Sequence, residues 1–263
     1  MRSLMSLSRV IAAYGERFGL EPPPARSPEV VVLFRRAEEY RLFSELGSEA
    51  AGLELEGHAG GGLAVLHLER AAEEGASLLV HELVHLLNRR TFGGELPPWL
   101  EEGLAVELAS HRLDEAGRPQ PGTLWGERVV RERGLRLGMG GTRLEEEIEL
   151  TGAEAALGRL AQLTEEGRLP PVSALFDLTP DRFVGLSARE LRYAQAGALV
   201  RFLLDGPRAD AFRSFLAETG AGEPVTAERL YGALGTAPGE LDRAFETWVR
   251  AEARRHGVAA GAG

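Results

Sequence analysis

The sequence predicts an α+β protein: a small N-terminal mixed β-sheet with two helices beside it, then a mainly α-helical C-terminal part. Three observations predict this class. The runs 29–34 and 63–68 are short, apolar and bounded by Gly, Pro or charged residues, as buried strands are. From 71 to 110 the apolar residues switch to spacings of three and four, the period of a helix. Beyond 125 that period dominates, and no internal repeat is visible.

The elements follow in order. Leu4, Leu7, Ile11, Tyr14 and Phe18 form one stripe of a lead-in helix over 4–18, which Glu21 and three prolines end. Glu29-Val-Val-Val-Leu-Phe34 reads as a strand, and a helical stretch through Tyr40, Leu42, Phe43 and Leu46 stops at Gly47. Leu53 to Glu56 alternates, Gly57 to Gly62 reads as a turn, and 63–68 returns as a second strand, so a hairpin is added to the first. Leu79, Leu83, Leu86 and Leu87 line a helix over 71–90 that Gly93 and Gly94 close, and Pro97 and Pro98 open another to about Ser110. Residues 111–123 are rich in breakers and read as a loop. Helices are then expected over 125–137, 144–150, 153–166, 172–178, 188–205, 208–219 and 238–256. The expected organisation is a lead-in at 1–27, a mixed subdomain at 28–118 and a helical subdomain at 119–263.

Composition narrows the function. With 44% hydrophobic residues in 263, the chain is long enough for one large core or two modest ones. A formal charge of −10 and the lack of any long Lys/Arg block argue against nucleic acid or an anionic membrane as partner. No stretch approaches 18 apolar residues, and the start lacks a secretory signal's unbroken apolar run. No membrane span is therefore expected, and the chain as written reads as cytoplasmic, with export of a processed form left open. Zero Cys removes thiolate nucleophiles, Fe–S clusters and thiolate zinc sites, so any transition metal must sit on His, Asp and Glu. Only six His are present.

Two of them stand in His81-Glu82-Leu83-Val84-His85, inside the helical run 71–90. A spacing of four puts both imidazoles about 40° apart around a helix, where they can chelate one ion. The neighbouring positions Leu78, Leu79, Val80, Leu83, Val84, Leu86 and Leu87 are apolar, so the two His and Glu82 would be buried polar groups without partners unless something binds them. Zinc with two His and one carboxylate keeps an open position for water, and a carboxylate beside it can take that water's proton and pass it to a leaving amine. Glu82 is placed for that role, and the next helix brings Glu101 and Glu102 as candidate third ligands.

His81-Glu82-Leu83-Val84-His85 followed by Leu96-Pro97-Pro98-Trp99-Leu100-Glu101-Glu102-Gly103-Leu104-Ala105 resembles the gluzincin zinc metallopeptidases, and within them the bacterial peptidase-MA-like group. The resemblance implies a zincin-like fold with one Zn2+ on His81, His85 and Glu102, with Glu101 at a variable position. It implies a peptide or protein substrate, lying along the strand 63–68 as a sheet edge. The run from Tyr193 to Leu204 is similar to the Tyr-containing helix downstream in these proteins, which makes Tyr193 the candidate oxyanion donor. Gluzincins commonly carry an acidic residue four positions after the ligand Glu, to hold a ligating imidazole; here that position is Val106, with Glu107 one step on. Either Glu107, a backbone carbonyl or another carboxylate is expected to substitute, or the site is weaker. The G-A-M-E-N run of gluzincin aminopeptidases is absent, so cleavage inside a chain is expected. Two other readings stay open: a metallopeptidase-fold module that binds peptides without cleaving them, and a structural zinc site closed by a fourth ligand such as His111. The Gly-rich stretches lack the context of a phosphate cradle and read as turns, and Glu145 to Glu147 reads as a solvated helix face.

Overall fold

The computed structural model describes residues 7–24, 30–34, 36, 38–40, 42–43, 57–60, 63–67, 71–113, 119–120, 129–132, 136–138, 141–143, 146–149, 153–185 and 188–257. Helix α1 (Leu7–Phe18) buries Val10, Ala13, Tyr14 and Phe18 on one stripe and ends where Gly19 turns left-handed at φ +72°. Three short strands follow: β1 (Val30–Phe34), β2 (Gly57–Gly60) and β3 (Leu63–His67). β3 runs parallel to β1, from Val30 opposite Leu63 to Phe34 opposite His67, and antiparallel to β2, from Gly57 opposite Leu66 to Gly60 opposite Leu63. Gly57 to Gly60 is thus strand where a turn was expected, while Leu53 to Glu56 lies outside the described residues. Of the helical stretch expected after β1, only 38–40 and 42–43 are described, and these are helical.

The body of the molecule is built by helices. α2 (Ala71–Phe92) and α3 (Pro98–Ala109) are joined by a short turn in which Gly93 sits at φ +67°. After them come α4 (Ala153–Glu165), α5 (Ser173–Phe176), α6 (Pro180–Val184), α7 (Arg189–Asp205), α8 (Ala209–Gly220), α9 (Ala227–Leu234) and α10 (Pro238–Arg255). All eleven residues from Ala194 to Leu204 on α7 are buried, which makes it a central helix surrounded on every side. α1, α2 and α3 share one hydrophobic cluster with α7 and the other C-terminal helices: Tyr14, Leu87 and Leu100 belong to it together with Leu199, Phe212 and Phe245.

The expected α+β class is therefore corrected. The chain is mainly α-helical: helices carry the hydrophobic cluster of the described residues, and the three N-terminal strands of four or five residues are a small addition to them. The expected helices over 125–137 and 144–150 are also corrected. Val129–Glu132 pairs antiparallel with Glu146–Glu149, and Arg136–Gly138 with Gly141–Arg143. Val129 and Val130 are β-branched, and glycines at 138 and 141 flank the reversal, so local preference favours a ribbon over a short apolar run that is ambiguous by period alone. Glu146 and Glu147 accordingly sit on a strand and not on a helix face. Within 111–123, Arg112–Leu113 pairs with Pro119–Gln120. No helix among the described residues is long and apolar enough to cross a membrane.

One crossing places the site. A Cβ built on Gly103 of α3 would lie 2.7 Å from Val200 Cγ2 and 2.9 Å from the carbonyl oxygen of Ala196 on α7. Only hydrogen fits there. Gly103→Ala gains about 1 kcal/mol of helix propensity, but overpacking against backbone costs typically 1–3 kcal/mol, and the clash is the larger effect. The variant is expected to melt below the wild type; an equal or higher Tm would show that the two helices separate freely.

Candidate metal centre

His81 and His85 sit one turn apart in the middle of α2, on a helix anchored by Val80, Leu83, Val84 and Leu87 on its buried side. Pro98 supplies the first turn of α3, where its missing N–H and fixed φ cost nothing. The contacts Asn88 to Glu101, His85 to Glu101 and Ser77 to Ala109 step down one helix as they step up the other, so α2 and α3 run antiparallel. That arrangement brings the first turn of α3, with its two carboxylates, against the two imidazoles.

His81, His85 and Glu102 each offer one ligand atom, all within 4.8 Å of one another. The His81 and His85 Nε2 atoms are 3.1 Å apart, and Glu102 Oε2 lies 3.2 Å from the first and 3.6 Å from the second. Glu102 Oε2 is buried and makes no hydrogen bond of good geometry. Three ligand atoms converging on one point, one of them a buried carboxylate oxygen, fit a cation such as Zn2+. The side chains of the three keep 14–16% exposure, so solvent reaches them.

Glu82 is 3% exposed, and its Oε2 also lacks a partner. Burial pushes its carboxyl above the usual range; the charges of His81 and His85 oppose this and Glu102 reinforces it. For His85, burial works downward, but the Glu101 hydrogen bond and the charges of Glu102, Glu101 and Glu82 outweigh it and raise the imidazole to about 9. Burial would also raise Glu102, yet His81, His85 and Tyr193 hold it below the usual carboxylate range. Tyr193, near the start of α7, stacks on the His81 ring at 6.4 Å and 23° and interacts with Glu102. Phe183 packs on it at 5.4 Å and the Arg189 guanidinium lies 5.6 Å from its ring. Burial, reinforced by the Glu102 charge, pushes its phenol well above the ordinary value, so Tyr193 stays a protonated donor.

No protein-family model and no curated protein matches this chain.

Other expectations at this site change. Leu63–His67 is paired on both sides, between β1 and β2, so it offers no free edge to an extended peptide. Glu107 does not hold the imidazoles of His81 and His85. It is fully buried and accepts from Arg17 Nε and Arg201 Nε, each at 2.8 Å. His111 belongs to that second cluster, with Nδ1 2.8 Å from the Glu107 carbonyl oxygen and Nε2 3.6 Å from its carboxylate. Burial, the largest influence, holds His111 below its ordinary value. Among the described residues no fourth protein ligand joins His81, His85 and Glu102, so the reading of a zinc site closed by His111 is set aside.

Sequence reasoning named Glu101 as a candidate ligand but missed its contact to His85, and it missed Asn88 altogether. Glu101 Oε1 lies 2.6 Å from His85 Nδ1. Asn88, fully buried three residues beyond His85, accepts from the Tyr14 hydroxyl at 2.9 Å and donates to the Glu101 carbonyl oxygen at 3.4 Å. The available signal was a lone Asn directly after the apolar pair Leu86 and Leu87, where a polar residue needs a reason.

Proposed function

We propose that this chain is a zinc-dependent metallopeptidase of the gluzincin type that cleaves peptide bonds within a chain. The observation that carries the reading is the convergence of His81, His85 and Glu102, with Glu82 buried on the same helix and its Oε2 without a hydrogen-bond partner. A zinc ion on these three ligands supplies Lewis acidity, polarising the scissile carbonyl and making water acidic enough to ionise near neutral pH. Glu82 takes the proton from the attacking water, whose oxygen bonds to the carbonyl carbon. When the C–N bond breaks, Glu82 gives that proton to the leaving nitrogen. Tyr193 donates a hydrogen bond to the oxygen on which negative charge develops.

Tyr193→Phe removes only the donor hydroxyl, so kcat is expected to fall about 10²–10³-fold, with KM near the wild-type value. Unchanged kcat would remove Tyr193 from the mechanism. The proposal as a whole is tested with a mixed library of quenched fluorescent peptides. Zinc-loaded protein is expected to cleave members of the library internally, chelator-stripped protein to cleave none, and added zinc to restore cleavage. Zinc uptake without any cleavage would favour a peptide-binding module that keeps the metallopeptidase site.

A further inference from the structure

We infer that Glu101 is a positioning residue of the metal centre, the carboxylate that fixes the tautomer and ring orientation of His85 while its neighbour Glu102 ligates. The inference rests on the reading of His81, His85 and Glu102 as a zinc site. Its first support is geometric: Glu101 Oε1 lies 2.6 Å from His85 Nδ1, a short contact between a carboxylate and an imidazole N–H. With the Glu101 oxygen as acceptor, a ligating His85 carries its ring proton on Nδ1 and leaves the Nε2 lone pair for the metal. Nε2 is the atom that faces His81 Nε2 at 3.1 Å and Glu102 Oε2 at 3.6 Å.

The second support is that Glu101 is itself held. Asn88 donates to its carbonyl oxygen, and Tyr14, fully buried on α1, donates to Asn88. The chain Tyr14, Asn88, Glu101, His85 thus ties three helices together at the metal centre. Third, the residues that could have competed for the task are committed elsewhere. Val106 is apolar and packs against the core, and Glu107 is engaged by Arg17 and Arg201. Adjacent carboxylates on one helical turn point about 100° apart, which lets Glu102 enter the ligand set while Glu101 reaches the far side of the His85 ring.

The test is zinc affinity of the full chain, measured by competition with a chromophoric chelator, together with the visible spectrum of the Co2+-substituted protein. Partners that orient a ligating imidazole tune metal affinity by about 10–100-fold, and Glu101→Ala is expected to lose affinity in that range and to change the Co2+ spectrum. Glu101→Gln keeps an oxygen that accepts from Nδ1–H and is expected to recover part of the affinity and the wild-type spectrum. Melting of the metal-free proteins is expected to be alike, because Glu101 keeps 26% exposure and its backbone contact to Asn88 survives substitution. If wild type binds zinc and Glu101→Ala binds it equally tightly with an unchanged spectrum, the role of Glu101 is overturned and the metal site stands. If wild type itself binds no zinc, the metal reading fails and this inference with it.

Discussion

Glu82→Gln is expected to keep its zinc and lose peptide cleavage by about 10²–10⁴-fold, the usual contribution of a positioned general base. The amide is nearly isosteric and cannot accept a proton. Glu82 is 3% exposed with one carboxylate oxygen unpartnered, so its loss breaks no hydrogen bond at that oxygen, and binding of metal should survive. Burial moves its pKa upward, toward the working pH, which makes it a stronger base than an exposed glutamate. The carboxylate must be ionised to act, so activity is expected to fall as pH drops through its pKa. A zinc-loaded Gln variant that cleaves at the wild-type rate would remove Glu82 from the chemistry and with it the hydrolytic mechanism.

The largest effect on stability is expected at Glu107. Its carboxylate is fully buried between Arg17 and Arg201, whose side chains are 11% and 6% exposed, and Arg201 also donates to Ser110 Oγ at 2.6 Å. Arg17 keeps a second carboxylate partner in Asp205, whereas among the described residues the remaining partner of Arg201 is the uncharged Ser110 hydroxyl. Glu107→Ala therefore leaves Arg201 as a buried charge without a counter-ion, and breaking a buried pair in this way costs about 3–5 kcal/mol. Denaturant unfolding of the metal-free protein should read that loss directly. A change within the ~1 kcal/mol typical of exposed pairs would mean that water or another acid reaches Arg201, and that this cluster does not lock α1, α3 and α7 together.

What was legible in the sequence follows the range over which each interaction acts. Helix geometry alone sets the relation of His81 to His85, so their shared face could be read from five residues. Glu102 came from a motif, and its neighbour Glu101 looked interchangeable with it because sequence does not reveal which carboxylate on a first turn meets which ring nitrogen. The Arg17–Glu107 and Arg201–Glu107 pairs join residues 90 and 94 positions apart, and nothing local marks such partners. Asn88 and Tyr14 are linked across 74 positions for the same reason. The place of 63–67 between two other strands depends on β2, formed by Gly57 to Gly60, where glycines suggested a turn. Conversely, the boundaries of α9 are local: Thr226 accepts from Arg229 N at 3.2 Å as an N-cap, and Gly235 ends the helix at φ +58°. Over 129–149 short apolar runs matched a helical period by chance, and pairing with a partner strand decided otherwise.

The central claim is that His81, His85 and Glu102 jointly hold one metal ion, and zinc content after equilibration and removal of free metal tests it most directly. About one zinc per chain is expected for the wild type, and essentially none for His81→Ala with His85→Ala, in proteins whose helical circular dichroism is the same. Wild-type protein that takes up no zinc at micromolar concentration, or a double variant that takes up as much as the wild type, would contradict it.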